Sequence, residues 1–284
     1  MLTVLEVIKK SAEFFSGKGV DSARLNAELL VGHALRLPRM QLYLQFERTL
    51  TEAELAEIRS LVRRRGQREP LQYILGSVDF FGLKLKADPR ALIPRPETER
   101  LVEILVGRCA SAPPARVLDL GTGTGAIALA LASAWTSATV WAVDKSAAAL
   151  ALAGENAAAT GLAGRVKLLQ SDWFAQLPAE ARFNLVVANP PYLSSEETRQ
   201  AAPEVREHEP ALALIAEEEG LGAARAVLNG APRFLENDGW LALETSSGHH
   251  AELRAAAASA WARTESLPDM TGRERYFFAW PKPG

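Results

Sequence analysis

Asn189-Pro190-Pro191-Tyr192 joins a side-chain amide, two pyrrolidine rings and a phenol at the end of a mostly apolar run, Phe183 to Ala188. The two prolines fix φ and remove two backbone donors, so the turn is rigid and its carbonyls are left as acceptors. A plain proline turn needs neither the asparagine nor the tyrosine. The Asn189 side-chain oxygen and the Pro190 carbonyl can each accept an N–H from one nitrogen. Tyr192 can stack on the planar group that carries it. Such a pair suits a poor nitrogen nucleophile, an amide or an exocyclic ring amine, whose lone pair is delocalised. Holding both N–H bonds favours pyramidalisation, and the chemistry that then fits is methylation. Orientation supplies much of the rate. A donor that already carries a positive charge needs no metal, and no strong base is needed because the methylated nitrogen loses its proton to water or a neighbour. Asn189, Pro190 and Tyr192 are the candidate catalytic residues, and with Pro191 they are candidate substrate contacts.

A matching donor site lies upstream. Asp119-Leu120-Gly121-Thr122-Gly123-Thr124-Gly125 sits between a strand pattern and a helix pattern. Three alternate glycines allow a tight turn and close approach of backbone to a ligand. The third comes one residue early for a dinucleotide fingerprint. Asp119, at the strand end, can meet the ammonium of S-adenosylmethionine, directly or through water. Asp144 follows at the end of the next strand, where a carboxylate can accept both ribose hydroxyl protons. Asp172-Trp173 follows the third strand; the acid can take the adenine amino group while the indole covers the ring. Glycine loop, acid, then acid plus aromatic, each at a strand end, lie where open α/β sheets bind ligands. S-adenosylmethionine is therefore the expected cofactor, held by Asp119, Gly121, Thr122, Gly123, Thr124, Gly125, Asp144, Asp172, Trp173 and Asn189.

Other constellations carry less. His249 and His250 are adjacent and cannot converge on one metal from a helix face. His33 and His208 have no partner at ligand spacing, and no metal is expected. Ser246-Ser247-Gly248 lacks the context of a nucleophile elbow.

These residues need a sheet beneath them. From Arg116 strand and helix patterns alternate, with strands expected at Val117–Leu120, Thr139–Val143, Val166–Gln170, Leu185–Ala188, Trp240–Glu244 and Arg275–Trp280. Helices are expected at about Ala126–Ala134, Ala147–Thr160, Gly222–Leu235 and Ala251–Ala260. Alternation of this kind predicts an α/β domain with a mainly parallel sheet covered on both faces. Upstream, Leu2, Leu5, Ile8, Ala12 and Phe15 recur at helical spacing. Asp21-Ser22 is expected to cap a second helix, Pro38 to open a third, and Thr51 to Glu54 to form a capping box. Val78 to Lys86, around Gly82, reads as a β-hairpin. Pro94-Arg95-Pro96 marks a proline-fixed loop before a helix from Glu97 to Cys109. The expected domains are 1–76, helical and substrate-docking; 77–90, a hairpin linker; and 91–284, the methyltransferase domain.

The formal net charge is −2 over 284 residues, which favours neither a nucleic-acid coat nor a disordered acidic tail. The one cysteine, Cys109, can form no internal disulfide, so a reducing cytoplasm is expected. Leu120 to Val143 is uncharged and by itself long enough to span a membrane. Its Gly, Ser and Thr interruptions favour a soluble strand–loop–helix–strand unit, and no membrane is expected. Arg63-Arg64-Arg65 reads first as a solvated helix end and second as a docking patch for an acidic partner.

With these residues in view, the chain resembles the HemK-type protein-glutamine N5-methyltransferases that modify class I peptide-chain release factors. The resemblance runs over almost the whole chain. It is carried by Arg68-Glu69-Pro70-Leu71-Gln72-Tyr73-Ile74-Leu75-Gly76, Leu92-Ile93-Pro94-Arg95-Pro96-Glu97-Thr98-Glu99, Val117 to Ala130, Ser171-Asp172-Trp173-Phe174, Asn189-Pro190-Pro191-Tyr192 and Glu209-Pro210-Ala211-Leu212-Ala213-Leu214. It implies a Rossmann-like class I methyltransferase sheet with an antiparallel last strand. It also implies a small helical N-terminal domain that helps grip the release factor, and a place for Arg95 and Glu97 at the substrate. The substrate implied is the glutamine of the Gly-Gly-Gln loop. The chain departs from the family at Glu244-Thr245-Ser246-Ser247-Gly248-His249, where Glu-Ile-Gly-x-x-Gln is usual.

The four-residue motif alone also fits an adenine N6-methyltransferase acting on DNA or RNA. Charge favours a protein amide: Ser194 to Gly222 holds eight glutamates with only Arg199 and Arg206 as basic residues. Such a segment repels a phosphate backbone and suits a basic protein loop. No direct nucleic-acid partner is expected, and the protein is expected to act as a monomer. A ribosomal-protein glutamine, a non-catalytic S-adenosylmethionine-binding regulator and a nicotinamide dehydrogenase are the remaining alternatives.

Overall fold

Thr3 opens the first helix by a reciprocal cap. Its hydroxyl accepts the Glu6 amide while its own amide donates to Glu6 Oε2, at 2.8 Å. The computed structural model describes residues 2–282. The chain divides into two compact units, Met1–Gly76 with Pro203–His208, and Ser77–Ala202 with Glu209–Gly284.

The first unit holds α1 (Val4–Gly17), α2 (Ala23–Leu35), α3 (Arg39–Tyr43), α4 (Glu52–Gly66) and α5 (Leu71–Leu75). The buried stripe of α1 is Val4, Val7, Ile8, Ser11 and Phe15. That is rotated from the expected stripe, with Leu2, Leu5 and Ala12 only half-buried. The Thr51–Glu54 capping box forms. The expected Ser22 cap does not. Ser22 takes φ 48°, which turns its hydroxyl away from the helix amides, and Asn26 Nδ2 instead donates to the Asp21 and Ser22 carbonyls. Buried Glu28 is opposed by desolvation, yet donors from Arg24, Arg39 and Tyr43 hold its carboxyl below the usual range.

The arginine run at the end of α4 is not an open patch. Arg65 is buried, donating to Asn26 Oδ1, the Glu69 carbonyl and Glu204 Oε1; Arg64 pairs with Glu69. Only Arg63 of the three is exposed. Glu204 lies on the helix Pro203–His208, which groups with this unit although it follows the Asn189 motif in sequence.

The second unit begins with the expected hairpin, β1 (Ser77–Phe80) against β2 (Leu83–Lys86). Its two-residue turn places Phe81 and Gly82 both at positive φ, which matches the twist of the strands. After α6 (Pro96–Arg108) come β3 (Arg116–Leu120), α7 (Ala126–Ala134), β4 (Thr139–Asp144), α8 (Ala147–Ala159), β5 (Val166–Gln170) and β6 (Phe183–Ala188). Then follow α9 (Ser195–Gln200), α10 (the Pro203–His208 helix), α11 (Gly222–Gly230), β7 (Leu235–Glu244), α12 (His250–Ala257), β8 (Trp261–Pro268) and β9 (Glu274–Pro281). The seven-stranded sheet runs β5-β4-β3-β6-β7-β9-β8. Its first five strands in that order are parallel, β9 is antiparallel to β7, and β8 is antiparallel to β9.

Strand β8 was not among the expected strands. It is an edge strand, and its mixture of Arg263, Thr264, Glu265 and Ser266 gives no apolar alternation. Alternate residues of the inner strands feed two cores. Val117, Leu185 and Ala242 pack with α6 and α7, and Leu118, Val186 and Leu241 pack with α11 and α12. The uncharged stretch from Leu120 to Val143 resolves into a strand end, a loop, α7 and β4; among the described residues no helix is long and apolar enough to cross a membrane.

Candidate active site

The glycine loop leaves the end of β3 with Gly121, Gly123 and Gly125 at φ 70°, 56° and 82°. Side chains rarely adopt this region, which explains the glycine at each position. Two of the three glycines face the ligand cleft; Gly125 does not line it. A Cβ at Gly125 would stand 3.2 Å from the Ala153 Cβ and 3.2 Å from a Leu129 methyl, so this glycine lets α7 pack closely on α8.

The loop is braced by the acids at the strand ends. Asp119 Oδ2 accepts the Thr122 hydroxyl at 2.6 Å and the Ala128 amide at 3.1 Å. Asp144 accepts the amides of Gly123 and Ser146, each at 2.9 Å. Asp119 is fully buried under the loop rather than on the cleft wall, and its Oδ1 has no partner among the described residues. Burial, with Asp144 nearby as a lesser cause, pushes its carboxyl up to about 7. Burial also raises Asp144.

A cleft of about 760 Å³ opens beside this loop. Of the expected cofactor residues, Gly121, Thr122, Gly123, Thr124, Asp144, Asp172, Trp173 and Asn189 line it. Trp173 holds φ 50°, an uncommon conformation for a bulky residue, and its carbonyl accepts the Ser171 hydroxyl. Asp172 is exposed and pairs with Lys145 Nζ at 2.8 Å.

These features fit S-adenosylmethionine. The Asp119 carboxyl, with its orphaned buried oxygen, braces the loop through Thr122, and its negative charge would favour a cationic group bound in the cleft. Asp144 and Asp172 offer carboxylates along one wall, and the Trp173 indole offers an apolar face.

Asn189 stands at the carboxyl end of β6. Its Nδ2 donates to Thr98 Oγ1 at 2.9 Å, and Thr98 in turn donates to Glu244 Oε2 at 2.8 Å. Thr98 lies in the first turn of α6, and Glu244 ends β7. Desolvation pushes the buried Glu244 carboxyl up to about 7. Neither Thr98 nor Glu244 was an expected site residue. They lie 146 positions apart, Thr98 on α6 and Glu244 at the end of β7, and only the tertiary fold brings them together.

Pro191 lines the cleft; Pro190 is buried behind it, and Tyr192 is half-buried off the cleft wall. The Arg275 guanidinium lies 5.8 Å from the Tyr192 ring centre. Burial, and next Glu244, push the Tyr192 phenol up to about 12, so it stays protonated. Arg95 lines the cleft but donates to Glu209 Oε2 at 2.6 Å, which ties the loop before α6 to the Glu209-Pro210 motif. The side chain of Glu97 is outside the cleft, and its carbonyl accepts the Tyr276 hydroxyl. In the departing turn, the Thr245 hydroxyl meets His249 Nδ1 at 3.3 Å. The acidic segment is largely paired: Glu196, Glu204, Glu207, Glu209 and Glu218 each contact an arginine.

The family models that match are the PrmC N-terminal domain, over residues 6–76, and the methyltransferase small domain, over residues 98–207. The chain is 40% identical over 281 residues to the release factor glutamine methyltransferase of Chlorobaculum tepidum, covering 96% of this chain and 95% of the relative. It is 43% identical over 246 residues to that of Geobacter sulfurreducens, covering 87% and 85%. Among solved structures, the hMettl16 catalytic domain, bound to the MAT2A 3′UTR hairpin 1, matches with a TM-score of 0.56 at 16% identity, covering 81% of each chain. That likeness establishes the Rossmann-like class I methyltransferase fold and nothing finer.

Proposed function

The chain belongs to the release factor glutamine methyltransferase family, and on that premise we propose that it transfers a methyl group from S-adenosylmethionine to N5 of the Gly-Gly-Gln glutamine of class I release factors. The observation that carries this reading is the Asn189 amide. Its Nδ2 is engaged by Thr98, which leaves Oδ1 as the acceptor at the cleft.

Bound S-adenosylmethionine supplies an electrophilic methyl on a sulfonium. The residues Gly121 to Thr124, Asp144, Asp172 and Trp173 hold it, with Asp119 answering its positive charge from below. Asn189 Oδ1 and the Pro190 carbonyl accept the two N–H bonds of the glutamine amide. They orient its nitrogen and draw it toward a pyramidal geometry. Pro191 flanks the amide plane from the cleft wall, and Tyr192 stands behind it, off that wall. Arg95 supports this wall through Glu209. After transfer the nitrogen is cationic and loses a proton readily to water, so a strong base is not needed.

Residues 1–76 dock the release factor. Glu217 and Glu218 stand on the cleft wall, where they suit a basic protein loop and disfavour a phosphate backbone. The enzyme acts as a monomer in the cytoplasm. Purified protein given labelled donor is expected to label a release factor and not duplex DNA. Equal labelling of a factor whose Gly-Gly-Gln glutamine is changed to alanine would overturn the assignment.

A further inference from the structure

We infer that Thr98 and Glu244 are positioning residues that set which way round the Asn189 amide stands, a role that rests on the methyl-transfer reading above. A threonine hydroxyl has one proton to donate and lone pairs to accept with. With Glu244 ionised, its Oε2 accepts the Thr98 proton at 2.8 Å, so toward Asn189 Thr98 can only accept. Asn189 must therefore turn its NH2 group to Thr98, as it does at 2.9 Å, and its oxygen away.

Both Thr98 and Glu244 are buried, at 5% and 0% exposure, so water is not available to substitute for either contact. Glu244 Oε1 has no partner among the described residues. A buried carboxyl with one oxygen unpaired is costly. Its polarity is what the fold retains. An apolar residue at 244 would release the Thr98 proton. Thr98 could then donate to Asn189 Oδ1, and the amide would turn over. The NH2 group would face the substrate nitrogen, donor against donor, in place of an acceptor.

An acidic residue at 189 inverts the demand on Thr98. The carboxylate introduced by Asn189→Asp has only acceptors. It conflicts with a Thr98 hydroxyl already committed to Glu244, and is relieved when Glu244 is replaced by leucine. Glu244→Leu should thus impair the parent enzyme and improve the Asn189→Asp variant. A merely structural contribution from Glu244 would impair both.

The test uses the full-length protein with labelled S-adenosylmethionine and a release factor. Thr98→Val and Glu244→Leu are expected to lower the rate at saturating substrates at least about 10-fold, with donor affinity and release-factor KM within about 3-fold. Thr98→Ser, which restores the hydroxyl, is expected to stay within about 3-fold of the parent. Glu244→Leu is expected to raise the rate of Asn189→Asp by at least about 3-fold. In ¹⁵N-labelled protein, the side-chain amide pair lost on Asn189→Asp should shift in Thr98→Val and Glu244→Leu, and hold in Thr98→Ser. An unmoved amide pair overturns the relay, whether or not a variant is active. A shifted pair with an unchanged rate overturns its role in transfer. If the parent enzyme does not label the release factor at all, the functional reading fails instead, and the amide resonances still decide the relay.

Discussion

Gly220 passes so close to Tyr192 that a Cβ on the glycine would collide with the tyrosine's carbonyl oxygen. The same Cβ would stand 3.1 Å from the His249 ring, and the glycine holds φ 95°. The turn after the proline pair is thus backed by a residue that tolerates no side chain. Gly220→Ala is expected to cost about 2–3 kcal/mol, from backbone strain and the displaced neighbour. The measurement is a urea unfolding midpoint beside a single-turnover methyl-transfer rate; both should fall. An unchanged midpoint would mean that the loop moves aside freely.

Removing the acceptor itself separates binding from chemistry. Asn189→Ala is expected to lower kcat by about 10²–10³-fold, as for a lost transition-state hydrogen bond. Donor binding should persist, because most of the cofactor wall lies elsewhere in the cleft. Calorimetric titration of the donor against the variant checks the second half.

Stability should decline toward alkaline pH in the cofactor-free protein. Asp119 and Glu244 stand at about 7 in the folded chain, against ordinary values of 3.8 and 4.5. Between those limits the folded state keeps protons that the unfolded chain has lost. Stability therefore falls as pH rises from about 4 to 7, by up to roughly 4 kcal/mol for each group. Urea midpoints should be higher at pH 5.5 than at pH 8. Asp119→Asn and Glu244→Gln should each flatten that trend, and saturating S-adenosylmethionine should remove the Asp119 share.

Glu204 behaves oppositely. Burial works against its charge, but Arg68 and Arg65 hold its carboxyl down at about 2. Its contribution is present above pH 4.5 and is lost as the pH falls toward 2. Arg65→Met is expected to cost about 1–3 kcal/mol at pH 7, since Asn26 and Glu204 each lose a charged partner. Thermal unfolding of the intact chain at pH 7 and pH 3 would show the cost shrinking in acid.

The parallel strands, the glycine loop and the helix start at Thr51 were legible because each has a local signal: apolar runs, closely spaced glycines, and a hydroxyl before a helix. The sequence was silent where partners are distant. Nothing near Thr98 announces Glu244, and nothing in Arg63-Arg64-Arg65 announces that one guanidinium is buried against Glu204. Strand β8 was illegible because an edge strand needs no apolar face. The Ser22 cap failed because residue type signals capability, while φ decides whether the hydroxyl can reach. The acidity of the segment after Tyr192 was read correctly as composition, but much of it is neutralised by nearby arginines, which composition cannot reveal.

The grouping of Pro203–His208 with the N-terminal helices has a topological consequence. The backbone crosses from one unit to the other three times, after Gly76, after Ala202 and after His208. Within the second unit, the excursion is closed at its base by the bridge between Leu193 and Ile215. The first 76 residues are therefore not a detachable module. A single cut at Gly76–Ser77 would leave two pieces, each missing part of its own fold: one without the helix that bears Glu204, the other carrying that helix without the arginines that neutralise it.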